Sequence, residues 1–336
     1  MPINLMTLTD SELLDLRICD LKLSLKNTWI QTCIQKLYTE LSMKDIRFKP
    51  HVWISDDWFS PDGVPGFAIP FYLLHPRLIA LEEKMIGYAE GSNRQWCMKL
   101  MRHETGHAID NAFHLRKNKS RQMLFGLTSQ KYPDSYAPNK KSKDYVRHLE
   151  DYYAQAHPDE DWAETFSVWL TPKSAWRKNY ADWGAIHKLN LLDQMMENIK
   201  GKRPLVSKRC RIEDVSEKTM TLRQYYREKR KRLKVDQTPF KSDLKKIFSK
   251  EGSIPAWKFL NDSSPKIIGE VARSSDLKHN KIKAMLAVLK KTCRQERLHV
   301  PNLSGKNPGV SPEFMASFIT KNSQRLSREG SPRIMM

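Results

Sequence analysis

What this chain lacks narrows it first. Its five cysteines (Cys19, Cys33, Cys97, Cys210 and Cys293) are odd in number and scattered, with no Cys-x-x-Cys pair among them. That pattern excludes a disulfide framework and a cysteine-rich zinc ribbon, and it fits a reducing compartment. No stretch approaches the roughly 18 uninterrupted apolar residues of a membrane span. The opening Met1-Pro2-Ile3-Asn4-Leu5-Met6-Thr7-Leu8-Thr9-Asp10 has no basic n-region and no long apolar run, so a secretory leader is not expected. A soluble cytoplasmic protein with no membrane partner is the expectation. A Gly-x-Ser-x-Gly elbow, a phosphate-binding loop, an internal repeat and a recognised nucleic-acid-binding motif are all missing, which sets aside serine hydrolases of that kind and nucleotide-dependent enzymes.

What is present is enough for a core: 336 residues, of which 40% are apolar. The formal charge of +20 is unevenly placed. Residues 1–200 hold 26 Lys plus Arg against 25 Asp plus Glu, whereas residues 201–336 hold 32 against 13. This step predicts a first domain over 1–200, a basic helical domain over 201–298, and a Pro-, Ser-, Gly- and Asn-rich tail over 299–336 without ordered structure.

Within the first domain, leucine-rich residues from Asp10 to about Met43 read as helical. Residues Ile46 to Ile54 alternate as a half-buried strand, and Gly66 to Leu73 as a second. Pro50 makes the first a sheet edge or a bulge, and Pro70 argues for an edge in the second. An amphipathic helix is expected from about Asn93 to His114, with Ser92 as its N-cap. Residues 117–143 read as a loop. A helix follows from Pro158, a residue suited to the first helical position, to about Leu170. Another runs from about Ile186 to Ile199. Together these predict an α+β fold with a small edge-stranded sheet and helices. Beyond residue 201, helices are expected over 220–235, 241–250, 266–273 and 278–298.

The chemistry sits in His103-Glu104-Thr105-Gly106-His107. A His-Glu-x-x-His on a helix puts two imidazoles one turn apart on one face, where both can bind one Zn²⁺. Glu104 lies beside the metal, placed to deprotonate a zinc-bound water. The metzincin continuation fails, because its Gly and His positions hold Asp110 and Phe113. A carboxylate on a later helix is the other solution. His157-Pro158-Asp159-Glu160-Asp161-Trp162-Ala163-Glu164 offers Glu160 and Glu164 four residues apart on one face, so that one can bind metal while the other holds a ligand imidazole. The alternative is an acidic first turn that only complements the helix dipole. Asp110 is a further candidate to orient a ligand imidazole, with a solvated or capping role as its alternative. The remaining histidines of this region, including His51, His75, His114, His148, His157 and His187, read as structural or exposed.

Arg102-His103-Glu104-Thr105-Gly106-His107-Ala108-Ile109-Asp110-Asn111-Ala112 together with His157 to Phe166 resembles the bacterial family of putative zinc-binding metallopeptidases. Asp62-Gly63-Val64-Pro65-Gly66-Phe67 and Phe71-Tyr72-Leu73-Leu74-His75-Pro76-Arg77 resemble it too, so the likeness spans roughly 46–199. The Glu-x-x-Ala-Glu-x-Phe run is similar to that of lethal-factor-type gluzincins. The resemblance implies a zincin-like domain hydrolysing peptide bonds in a peptide or protein substrate. It makes Glu160 the third zinc ligand, Glu164 its supporting carboxylate and Tyr153 the phenol that assists the chemistry, with Tyr152 as the fallback. Some members carry an N-terminal cysteine-rich ribbon, which this chain lacks.

The basic half raises a different function. Leu222 to Lys234 interleaves Tyr225 and Tyr226 with Lys and Arg, as phosphate neutralisation and base stacking would require. A nucleic-acid or acidic-partner-binding protein with a non-catalytic zinc site is therefore the alternative, the contact running through 201–298.

Overall fold

The computed structural model describes residues 4–133, 136, 138–233, 240–275, 277, 279–301 and 310–330. It is mostly helical, at 58%, with little sheet, an arrangement compatible with the α+β class. Two compact units emerge: Met1–Ile79 with Glu90–Met220, and Ala80–Ala89 with Thr221–Met336. The structural division thus differs from the step in charge at residue 201. Segment 201–220 stays with the first unit because its backbone is bonded there. Trp53 donates its indole N–H to the Ile212 carbonyl at 2.9 Å, Ser55 its hydroxyl to Glu213 at 2.7 Å, and Ile18 its amide to Met220 at 3.0 Å.

In the first unit, α1 (Asp10–Asp15) opens on a capping box between Thr9 and Glu12. The expected continuous helix to Met43 is interrupted: a 3-10 turn at Ile18–Leu21 follows, and α2 (Trp29–Ser42) starts only after Thr28 caps it. Lys22 and Asn27 stand at φ 47° and 61°, left-handed positions that no helix passes through. The strands β1 (His51–Ser55) and β2 (Gly66–Pro70) pair in parallel, with His51 opposite Gly66 and Ser55 opposite Pro70. A β-carbon on Gly66 would lie 2.2 Å from the His51 carbonyl oxygen, so only glycine fits there. The outer side of β2 is taken at one point, where Ala68 donates its amide to the Phe59 carbonyl at 2.8 Å.

Helix α3 (Pro76–Ile86) leads from the first unit into residues of the second. Then come α4 (Arg94–Phe113), α5 (Lys119–Phe125), α6 (Pro158–Leu170), α7 (Trp176–Asn179) and α8 (Ala185–Ile199). Asn93, one residue after the expected cap, caps α4. That helix is not amphipathic in the ordinary sense. Packed among α2, β2 and α6, it is buried from Cys97 to Phe113 on almost every side except Lys99. Helix α5 forms inside the stretch expected as a loop, started by the Asn118 side chain accepting from the Arg121 amide.

The second unit contains α9 (Leu222–Arg232), α10 (Lys241–Ile247), β3 (Ile254–Pro255), α11 (Ala256–Asp262), α12 (Ser264–Ser274), α13 (His279–Gln295), β4 (His299–Val300) and α14 (Pro312–Gly330). Residues from α10 to α14, among them Phe240, Leu244, Leu260, Ile267, Leu289 and Ile319, share one apolar core. Helix α14 replaces the expected unstructured tail. Met315, Ala316 and Ile319 repeat at helical spacing and bury against that core. Strand β4 also falls inside that expected tail, paired with β3, while residues 302–309 and 331–336 lie outside the described residues, as does the end of the helix expected to reach 235.

Tyr225 and Tyr226 correct the stacking expectation: they are 4% and 0% exposed, so neither ring face is offered to a base. Part of the basic run is internal as well. Lys229 pairs with Glu82 at 2.8 Å and donates to the Tyr225 hydroxyl at 3.0 Å, and Arg230 donates to the Met85 carbonyl. No helix among the described residues is long and apolar enough to cross a membrane.

Candidate metal centre

The centre is built where α4 crosses α6. Gly106 makes the crossing close: a β-carbon there would sit 2.8 Å from the Ala163 α-carbon. Trp162 completes the contact by donating its indole N–H to the Gly106 carbonyl at 2.9 Å. Helix α6 starts at Pro158 because His157 caps it, its Nδ1 accepting the Asp159 amide at 3.1 Å. His157 Nε2 then carries the proton and donates it to the Gln130 carbonyl at 2.9 Å. With the two helices pressed together, His103 and His107 of α4 face Glu160 of α6.

Their donor atoms converge. His103 Nε2 lies 3.2 Å from His107 Nε2 and 3.0 Å from Glu160 Oε2, and His107 Nε2 lies 3.6 Å from the same oxygen. Ligands on a tetrahedron around zinc, with bonds of about 2.0–2.1 Å, stand about 3.3–3.4 Å apart. The three atoms therefore form one face of such a tetrahedron and leave the fourth corner unassigned. Among the described residues this is the one cluster of His, Cys, Asp and Glu side chains spaced to hold a metal ion.

Hydrogen bonding alone does not satisfy the cluster. In its neutral form His103 gives its Nδ1 proton to Glu164 Oε1 at 3.0 Å, and Nε2 then has a lone pair facing two other lone-pair donors. Glu160 Oε2 is buried and makes no hydrogen bond. A single proton bridges one pair of atoms, whereas a multivalent cation satisfies all three. The electrostatics point the same way. Burial works against an imidazolium at His103, yet Glu160 and Glu164 overcome it and raise its pKa well above the ordinary value. Glu160, although buried, is held below the usual carboxylate range by His107 and His103. The pocket is made for positive charge, and the donor set of two imidazoles and a carboxylate suits zinc.

Glu164 has both oxygens engaged: Oε1 faces His103, and Oε2 accepts the Leu149 amide at 2.8 Å. Its pKa is lowered despite burial, chiefly by the hydrogen bond to His103. Glu104 is the opposite case. It is 3% exposed, its Oε2 has no hydrogen-bond partner, and burial raises its pKa. A carboxylate so placed is short of a donor, with one oxygen unengaged beside the imidazoles.

Tyr153 stacks obliquely on His103, with ring centroids 5.6 Å apart, and is buried. Burial and the nearby Glu160 push its phenol pKa well up, so it stays protonated. Tyr152 turns elsewhere, under the guanidinium of Arg147 at 5.3 Å from the ring centroid. Asp151 and Tyr152 both adopt left-handed φ, 60° and 57°, and this tight bend is what delivers Tyr153 to the site. Asp110 does not touch a ligand imidazole. Its Oδ2 accepts from Arg116 at 2.9 Å and Arg121 at 3.0 Å, and at 1% exposure it is neither solvated nor a side-chain cap. The two arginines, out of sight of a helix-spacing argument, claim it first.

Some contributors were not singled out from sequence. Tyr132 donates its hydroxyl to Glu160 Oε1 at 2.9 Å. Asn111 anchors the turn before β2, accepting the Gly63 amide and donating to the Pro61 and Val64 carbonyls. Arg116 ties the same turn down by reaching Asp62 at 2.7 Å. His148, buried and held neutral with its pKa pushed down to about 4, bonds the Lys99 carbonyl and so joins the segment before Leu149 to α4. The only sequence signal for Asn111 was its place directly after Asp110 in the resembling run.

Residues 96–212 match the family described as "Putative zinc-binding metallo-peptidase". That span contains α4 from Trp96 onward, all of α6 and every side chain of the centre. No curated protein and no solved structure matches the chain.

Proposed function

We propose that the first unit is a zinc-dependent peptidase of the zincin-like, gluzincin type, acting on a peptide or protein substrate in the cytoplasm. The observation that carries this reading is the trio of His103 Nε2, His107 Nε2 and Glu160 Oε2, spaced 3.0–3.6 Å apart, beside a buried Glu104 oxygen with no partner. His103, His107 and Glu160 would hold Zn²⁺. When bound, the metal supplies Lewis acidity toward a substrate carbonyl and makes water acidic near neutral pH. A structural site has no use for a buried carboxylate lacking a partner at its side. Glu104 is that carboxylate, and it takes the proton of the attacking water and returns it to the leaving amine. Tyr153, kept protonated, donates a hydrogen bond to the oxygen that gains charge at the carbonyl. Glu164 keeps the His103 ring in the tautomer whose Nε2 is free to bind.

The test is Glu104→Gln, which keeps the shape of the side chain and removes its basicity. Cleavage of a quenched peptide library by the zinc-loaded protein should fall by about 100-fold or more, with zinc content unchanged. Wild-type cleavage rates in this variant would remove Glu104 from the chemistry.

A further inference from the structure

Glu160 divides its two oxygens between different tasks. Oε2 faces the two imidazoles at 3.0 and 3.6 Å, while Oε1 accepts the Tyr132 hydroxyl at 2.9 Å. Tyr132 comes from the stretch read as featureless loop, yet three contacts fasten that stretch across the first turn of α6. The Tyr132 ring lies on the His157 ring, with centroids 3.6 Å apart and planes at 15°. His157 is itself fixed at both nitrogens, one capping α6 and the other bonded to the Gln130 carbonyl. Gly126, at φ 100°, brings the chain so close that an added β-carbon would lie 3.0 Å from Pro158 Cγ. The helix cap, the stacked ring and the phenol thus form one brace that ends on the third ligand.

We infer that Tyr132 is a positioning residue for the metal, holding Glu160 as a one-oxygen ligand. A carboxylate with a free second oxygen swings or chelates with both, which changes the ligand count and crowds the open corner. A phenol bonded to Oε1 prevents this and leaves Oε2 as the only oxygen presented. Groups that bond a ligand from behind typically change metal affinity by about 10–100-fold when removed. This inference rests on the metal-centre reading above.

The experiment uses the full chain, with zinc affinity measured by chelator competition and cobalt(II) absorption as a coordination probe. Tyr132→Phe keeps the ring on His157 and removes only the hydroxyl. It should weaken zinc by about 10–100-fold and change the cobalt visible band toward higher coordination, with the unfolding midpoint of the metal-free protein unmoved. In a Glu160→Ala background the same substitution should have no further effect, because Tyr132 acts only through Glu160. Unchanged affinity and spectrum in Tyr132→Phe overturn the inference, and so does an equal loss in both backgrounds, which would mean a general effect on the fold. A wild-type protein that binds neither metal would overturn the centre itself, and this inference with it.

Discussion

The two halves of the sequence, parted at residue 201, invert the expectation that net charge marks the charged chemistry. Residues 201–336 hold nearly all the excess positive charge, yet the core of α10 to α14 is apolar throughout. Residues 1–200 are close to neutral, yet they bury Arg102 with Glu40, Arg121 with Asp110, Lys188 with Asp161, and the carboxylates and imidazoles of the centre. Surface charge costs little, since water solvates it. Buried charge is costly unless paired or bound to metal, so where it clusters the fold has been made to hold it. The second unit also buries an ion pair, Lys229 with Glu82, but among the described residues it is the first unit that gathers imidazoles and a carboxylate into a cluster spaced for a metal ion.

The comparison is sharpest in how each interior responds to damage. In the second unit, Leu289→Ala on α13 removes a fully buried side chain from a close-packed apolar core. It should cost about 2–5 kcal/mol in urea unfolding, with zinc affinity unmoved. A cost near zero would mean that core is loosely packed. In the first unit the crossing of α4 and α6 is the sensitive point. Gly106→Ala should cost about 1–3 kcal/mol and weaken zinc at the same time, because it pushes Glu160 away from the imidazoles. Stability lost without any change in zinc affinity would separate the crossing from the centre.

The polar interior of the first unit should also respond to pH. His148 has a folded pKa of about 4, lowered by burial, against about 6.5 when unfolded. Between these values the unfolded chain binds a proton that the folded chain refuses, so stability falls as pH drops from about 6.5 toward 4. Its share of the loss between pH 7 and 5 is about 2 kcal/mol, and His148→Gln should remove that share. An identical pH dependence in wild type and variant, read from urea midpoints, would contradict the buried neutral state.

How much of this was legible follows the range of each interaction. Helix α6 begins at Pro158 and ends at Leu170, as its proline and spacing indicate, because its cap is set within two residues. His103 and His107 share a face by helix geometry alone. The break after α1 was missed because leucine spacing says nothing of a left-handed Lys22. Asp110 looked like a partner for an imidazole by spacing, but Arg121, eleven residues on, decides its bonding. Tyr132 stands 28 residues from Glu160, across a loop whose path no periodicity describes. Helix α14 hid in a polar tail because only three of its early residues, Met315, Ala316 and Ile319, are buried in the core.

The central claim is that His103, His107 and Glu160 together hold one metal ion. Metal content by mass spectrometry of the purified full chain, compared with His103→Ala and Glu160→Ala, tests it most directly. About one zinc per chain, lost or sharply weakened in both variants, is the predicted result. Zinc missing from the wild type and not taken up when supplied, or retained at full strength in Glu160→Ala, would contradict it.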